Sequence, residues 1–311
     1  MAQGILRPGR PDLGLQGSVA RRRKEGFIGA VLLAAGLTTI AISGLIVFAL
    51  AFEAISFISR IEFSQLFEIG WFPRRGLFDI ATVLAGTLIV TGIAMLIATP
   101  IGLASAIYLS EYATPRVRKV IKPVLEVLAG IPSIVLAFFA ITVISPEVVQ
   151  RFLGGSAFNL AVAGIAVGIL VIPLIASISE DAMRAVPRSL REASYGLGAR
   201  KITTTIRVVF PAAISGIVAS LIIAISRSIG ETMVVAIAAG GTGGSLFNLD
   251  PLAPGQTITA AMASLATGSD QVRGDDAAFP SLFFLGLLLF VMTLLLNVIG
   301  DVFVRRTRQR Y

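Results

Sequence analysis

The sequence predicts an all-α, polytopic membrane protein with six transmembrane helices. Three observations carry that prediction. The 311 residues are 55% hydrophobic and only 14% charged, with a mean hydropathy of +0.88, whereas soluble domains carry about 25% charged residues. Apolar runs recur along the chain, each reaching the roughly 20 residues that a spanning helix needs. Basic residues crowd the segments on one side of those runs. The chain has no cysteine and no histidine, which excludes thiolate nucleophiles, disulfides, Cys/His metal sites and imidazole proton relays.

Residues 1–26 are polar, contain Arg21-Arg22-Arg23-Lys24 and read as a tail. Phe27–Phe52 is the first span. A basic start before an apolar run also describes a secretion signal, but a signal's apolar core is only about 7–15 residues. Glu53–Ala81 is mixed, and Trp71, Phe72 and Pro73 read as an interfacial aromatic patch. Val83–Leu109 is the second span; its Gly86, Gly92, Pro100 and Gly102 are tolerable where neighbours re-satisfy the backbone. Thr114–Lys122 is a short basic link. Pro123–Ile144 is the third span, with Gly130-Ile131-Pro132-Ser133 inside it, and Ser145–Phe158 a loop. Asn159–Ser179 is the fourth span. Residues 180–211 form a large polar loop ending at Pro211, and Ala212–Ala239 is the fifth span. Gly240–Phe279 is Gly-rich and reads as a flexible loop, Pro280–Val304 is the sixth span, and 305–311 is a basic tail.

Six spans place both ends on one side, and the positive-inside rule says which. The tail-side segments hold Arg7, Arg10 and Arg21 to Lys24; Arg116, Arg118, Lys119 and Lys122; Arg184, Arg188, Arg191, Arg200, Lys201 and Arg207; and Arg305, Arg306, Arg308 and Arg310. The opposite segments hold Arg60, Arg74, Arg75, Arg151 and Arg273. The tails and the 180–211 loop are therefore expected in the cytoplasm. The net charge of +8 is explained by topology, and no basic face is left over for nucleic acid. No segment matches the phosphate-cradling G-x-x-x-x-G-K-[ST] loop, so the chain does not itself carry that ATP site. Asp275-Asp276 reads as solvated charge.

The 180–211 loop is too long and polar for a plain turn between spans. Arg188–Arg200 has room for one or two helical turns, and Gly196 and Gly198 permit a sharp bend. Two readings stand side by side: a helix lying on anionic headgroups, or a docking surface for a partner. Further on, Arg227 and Glu231 stand in an apolar run at i and i+4, a spacing that puts both on one helix face. Intramembrane charge is expensive and faces a bundle interior or a watery path. The pair is either a structural ion pair or a transit site. In the second case Arg227 attracts an oxyanion through its planar fork, and Glu231 holds the guanidinium when the path is empty.

Glu192-Ala193-Ser194-Tyr195-Gly196-Leu197-Gly198, nine residues, then Val208-Val209-Phe210-Pro211 resembles the EAA motif of ABC importer permeases (E-A-A, three residues, G, nine residues, I-x-L-P). Glu192, Ala193, Gly198 and Pro211 match; Ser194, Val208 and Phe210 depart conservatively. Arg227-Ser228-Ile229-Gly230-Glu231-Thr232 is similar to the R-x-x-G-E-T segment of phosphate-specific importer permeases, and Tyr108–Ala113 and Leu128–Ser133 look like that family too. The resemblance implies a type I ABC importer permease fold. It implies a coupling helix in 180–211 that docks on an ATP-hydrolysing subunit, and a substrate path at Arg227, Glu231 and Thr232. It also implies the partners: a second, PstA-type permease, two ATP-binding subunits and an extracytoplasmic phosphate-binding protein. ATP and Mg would belong to the ATPase, with no cofactor on this chain. Met233 after Gly-Glu-Thr, the Trp71–Pro73 loop and the additional first span look like the PstC type. Permeases for sulfate or molybdate, and an ATP-independent secondary transporter, are the alternatives.

Overall fold

The computed structural model describes residues 19–241, 243–267 and 277–307. The expected tail segments 1–18 and 308–311, together with Arg273 and Asp275-Asp276, lie outside them. Among the described residues six helices are long and apolar enough to cross a membrane.

The chain divides into two units between Ala49 and Leu50. The first unit is most of helix α1 (Val19–Ile58), which begins inside the stretch expected to be a tail. Its apolar side chains stand outward, Phe27, Leu32 and Ile40 among them. Exposed apolar residues all along a helix suit a surface whose solvent is hydrocarbon.

The second unit begins with the last turns of α1. A hairpin follows, with β1 (Trp71–Phe72) antiparallel to β2 (Leu77–Phe78) and Trp71 opposite Phe78. Gly76 turns it with φ +70°. The hairpin departs from the expected interfacial patch: Trp71 is wholly buried. Its ring meets Phe78 edge-on at 5.9 Å, and Phe57 meets Phe78 at 5.0 Å. The indole is buried in a cluster with Phe57, Phe78, Val83, Ile258 and Leu285, and the Trp71 backbone exchanges two hydrogen bonds with Ser245, at 2.8 and 3.1 Å. The same contact orders part of the Gly-rich stretch expected to be flexible. Gly241 lies against Gly255 and Gly244 against Phe72, with no room for a Cβ at either.

Helix α2 (Ile80–Tyr112) starts on an Asp79 cap, whose carboxylate accepts from Ala81 N–H at 3.0 Å. It ends in a π-helical turn, Tyr108–Tyr112. Helix α3 (Pro115–Ala129) is amphipathic and has no buried residue. The third span, α4 (Ser133–Leu153), follows. It begins later and ends later than the apolar run suggested. Pro132 has no N–H to give and stands in extended backbone at φ −57°, ψ 130°, so the helix is interrupted at Gly130–Pro132 and restarts at Ser133. Residues 145–153 are helical, not loop.

Helix α5 (Leu160–Arg184) is the most buried of the six spans. Small residues let it approach α2 closely. A Cβ on Gly164 would sit 2.8 Å from Ile93 Cβ, and one on Gly102 would sit 2.8 Å from Ile175 Cβ. The polar stretch 180–211 is mostly helix. Helix α5 runs on to Arg184, the short α6 spans Arg188–Gly196, and α7 runs from Lys201 to Ile229. Pro211 therefore lies inside a span, not at its start. A π-helical segment, Thr205–Val209, precedes it. Wider i→i+5 bonding there absorbs the N–H that Pro211 lacks and relieves its ring against the preceding turn. After Gly230 come α8 (Met233–Ala238), α9 (Ile258–Ala266) and α10 (Ala278–Thr307).

Candidate functional site

Two places gather the residues singled out by sequence. The first is α6 and its mounting. Glu192 and Ala193 are exposed, as are Tyr195 and Leu197, the last 90% open. Ala193 O accepts from Leu197 N–H at 3.1 Å as the helix ends. Gly198 then turns the chain at φ +78°, a conformation open to glycine at little cost. The inner face of α6 is tied down: Ser194 and the buried Thr204 share a hydroxyl hydrogen bond at 2.8 Å. A short helix that presents a carboxylate, a tyrosine and a bare leucine outward, on a fixed base, has the form of a docking knob.

Next to this knob lies a charge cluster that sequence reasoning missed. Glu180 is fully buried near the end of α5. Arg118 reaches it at 2.6 Å and Lys122 at 2.8 Å, both from α3, and Arg184 stands 3.9 Å away. Lys122 also bonds Asp181 at 2.5 Å. Burial opposes the charge on Lys122, yet the bonds to Asp181 and Glu180 and their fields prevail, and its pKa rises above the ordinary 10.5. A raised lysine contributes fully below the ordinary value and loses that contribution only as pH climbs through the raised one, so the clamp holds throughout the physiological range. Glu180 is wholly buried, whereas Arg118 and Lys122 are 24% and 22% exposed and Lys122 keeps Asp181. Glu180→Gln is therefore expected to destabilise the protein by about 1.5–3 kcal/mol, the scale of hydrogen bonds to charged groups, read as a lower midpoint of thermal unfolding in detergent. Asp181→Asn, at an exposed carboxylate, should stay within about 1 kcal/mol. Equal effects from the two would show that Glu180 is not the clamp.

The second place is the end of α7. Buried Ser179 and Ser220 hydrogen-bond at 2.8 Å between α5 and α7, and Ala224 packs with Val171 and Ile175. One turn further on, this antiparallel register sets Arg227 at the height of Ile172, the midpoint of α5. Arg227 is exposed on the chain's own surface and makes no ion pair or hydrogen bond among the described residues. Glu231 is not its i+4 neighbour on one helix. Helix α7 stops at Ile229, Gly230 caps it, and Glu231 turns inward to 9% exposure. The carboxylate of Glu231 accepts from Val234 N–H at 3.5 Å at the start of α8, and its carbonyl accepts from the Thr259 hydroxyl at 2.6 Å. The expected pairing fails because Gly230 ends the helix between the two charges. Thr232 lines a cavity of about 290 Å³ with Gly230, Thr259 and Met262.

The break at Gly130–Pro132 lies at a similar height. Ile131 shares an apolar crevice with Ile169 and Leu170 of α5, and α8 packs on the start of α4 through Val234, Val235, Leu136 and Ala137. Two interrupted helices thus meet halfway along the buried central span, and the second of them carries, just before its break, an arginine with no acidic partner among the described residues. Interrupted helices at mid-depth are a recurring construction of transport sites.

The family described as binding-protein-dependent transport system inner membrane component matches residues 98–309. The phosphate transport system permease protein PstC of Mesorhizobium japonicum is 34% identical over 272 residues, 81% of this chain and 81% of that protein. The probable ABC transporter permease protein YqgH of Bacillus subtilis is 32% identical over 240 residues, 76% and 75% of the two chains. Among solved structures, a bacterial ABC transporter involved in the import of the acidic polysaccharide alginate superposes with a TM-score of 0.64. That match covers 93% of this chain and 100% of that one at 17% identity, a likeness of fold. The fold is that of a type I ABC importer permease, and the chain belongs to the binding-protein-dependent transport system inner membrane component family.

Proposed function

We propose that this chain is the PstC-type permease subunit of an ATP-driven importer of inorganic phosphate. It forms half of the translocation path in the bacterial inner membrane, with both termini and α6 in the cytoplasm. The observation that carries the reading is Arg227, an exposed guanidinium set at the height of the middle of α5 with no carboxylate paired to it among the described residues. A charge at that depth is costly unless compensated, and a passing oxyanion supplies the compensation through the bidentate geometry arginine favours. The absence of Glu231 from its side strengthens this role, because nothing has to be displaced before phosphate arrives. Glu231 itself acts as a cap for α8, and Thr232 offers a hydroxyl to the neighbouring cavity.

The remaining partners follow from the same reading. The PstA-type permease completes the path against the exposed Arg227 surface. An extracytoplasmic phosphate-binding protein delivers substrate. Two ATP-binding subunits, which hold ATP and Mg, receive the knob of Glu192, Ala193, Tyr195 and Leu197. Basic residues on α3 and the chain ends meet anionic lipid.

Uptake of radiolabelled phosphate by cells that lack this permease and receive the gene back tests the substrate. Restored uptake that resists excess sulfate and molybdate is the expected result. Competition by either would keep a permease and overturn phosphate.

A further inference from the structure

Arg191 stands on α6, turned away from Glu192 toward the membrane helices, and holds the ends of two of them. Its Nη2 donates to Glu111 Oε1 at 2.8 Å and its Nε to Glu111 Oε2 at 3.4 Å. Nη1 donates to Val186 O at 2.7 Å, and Nη2 also reaches Met183 O at 2.8 Å. The Glu111 side chain is 5% exposed and that of Arg191 16%. One buried guanidinium therefore joins the outward knob, the end of α2 and the segment leaving α5. A planar fork with several donors can do this; a point charge cannot.

Two helices that meet α6, α2 and α7, share a further property. Glu111 lies in the π-helical end of α2, Tyr108–Tyr112, and α7 meets α6 through its α-helical first turn, Lys201–Thr204, and through the π-helical Thr205–Val209 that follows it. Lys201 at the start of α7 lies over the Tyr112 ring, 4.8 Å from its centre. π-helical turns are rare and recur at functional sites. Both lie at the joints of the knob.

We propose that Arg191 and Glu111 form a positioning pair that carries displacement of α6 into α2 and α5, so that work done on the knob reaches the membrane path. This rests on the reading that α6 receives the ATP-binding subunits. The pair touches neither ATP nor phosphate. Without it the knob remains docked and its movement is spent in its own loop.

The test uses the whole complex in proteoliposomes, with phosphate uptake and ATP hydrolysis measured on the same vesicles for Glu111→Gln, Arg191→Lys and the double variant. Each single change is expected to lower phosphate imported per ATP by roughly tenfold, with hydrolysis within about twofold of wild type. The double variant should be no worse than the poorer single, because members of one unit are non-additive. Arg191→Lys keeps the charge, so it decides the matter if Glu111→Gln does not assemble. An unchanged ratio in Arg191→Lys would overturn the proposal. So would additive losses, or uptake that falls only in step with the amount of ATPase co-purified, which is what a merely structural pair would give. A wild-type complex without ATP-driven uptake would mark failure of the permease reading instead.

Discussion

Arg227→Ala is expected to lower phosphate uptake by roughly 10- to 100-fold, since a charge-assisted hydrogen bond is worth about 1.5–3 kcal/mol and about 1.4 kcal/mol corresponds to tenfold in rate. Arg227→Lys recovers only part of the loss, because an ammonium on a flexible stem cannot present two parallel donors. Arg227 is exposed and has no partner among the described residues, so neither change leaves a buried group stranded and assembly of the complex should be unaffected. Glu231→Gln separates the two halves of the segment: it retains an oxygen that can accept from Val234 N–H and should transport at nearly the wild-type rate. The measurement is initial uptake rate against phosphate concentration in the intact complex. Wild-type rates in both arginine variants would remove Arg227 from the path. A Glu231→Gln defect as large as that of Arg227→Ala would restore the pair as a unit.

Glu192→Ala acts on the other side of the molecule. Glu192 makes no ion pair or hydrogen bond among the described residues and stands on the open face of α6. Losing it should leave folding and membrane insertion unchanged while weakening the hold on the ATPase subunit by roughly tenfold, the scale of an interface anchor. ATP hydrolysis then continues with less phosphate delivered, or the ATPase washes away in purification. Leu197→Ala, at the bare tip, should act in the same direction through lost apolar contact. Coupled transport at the wild-type ratio in Glu192→Ala would show that the carboxylate merely faces water.

The membrane architecture could be read from sequence because each span announces itself by an apolar run. The boundaries could not, and the reasons are local. Pro132 splits an apolar run that composition treats as one span, and the residues before it form an amphipathic helix fastened by Arg118 and Lys122. The polar stretch 180–211 looked like a loop because charged residues occupy it, yet most of them ride on the ends of helices. Gly230 defeated the i, i+4 reading of Arg227 and Glu231, since spacing implies a shared face only while the helix lasts. Trp71 looked interfacial, and residues far along the chain, Ile258 and Leu285 among them, help to bury it. Glu192 and Ala193 lie on a short exposed helix, and Gly198 turns the chain just after it. The Glu111–Arg191 contact joins residues 80 apart; both lie in segments that a single sequence marks, but nothing in that sequence pairs them.

The most direct measurement is uptake of radiolabelled phosphate into proteoliposomes that hold the complete complex, with ATP, the binding protein and the ion gradients each withdrawn in turn. The expected result is uptake that stops without ATP or without the binding protein and persists when the gradients are collapsed. Uptake that follows an ion gradient and ignores ATP would contradict an ATP-driven permease and leave the knob on α6 without a partner.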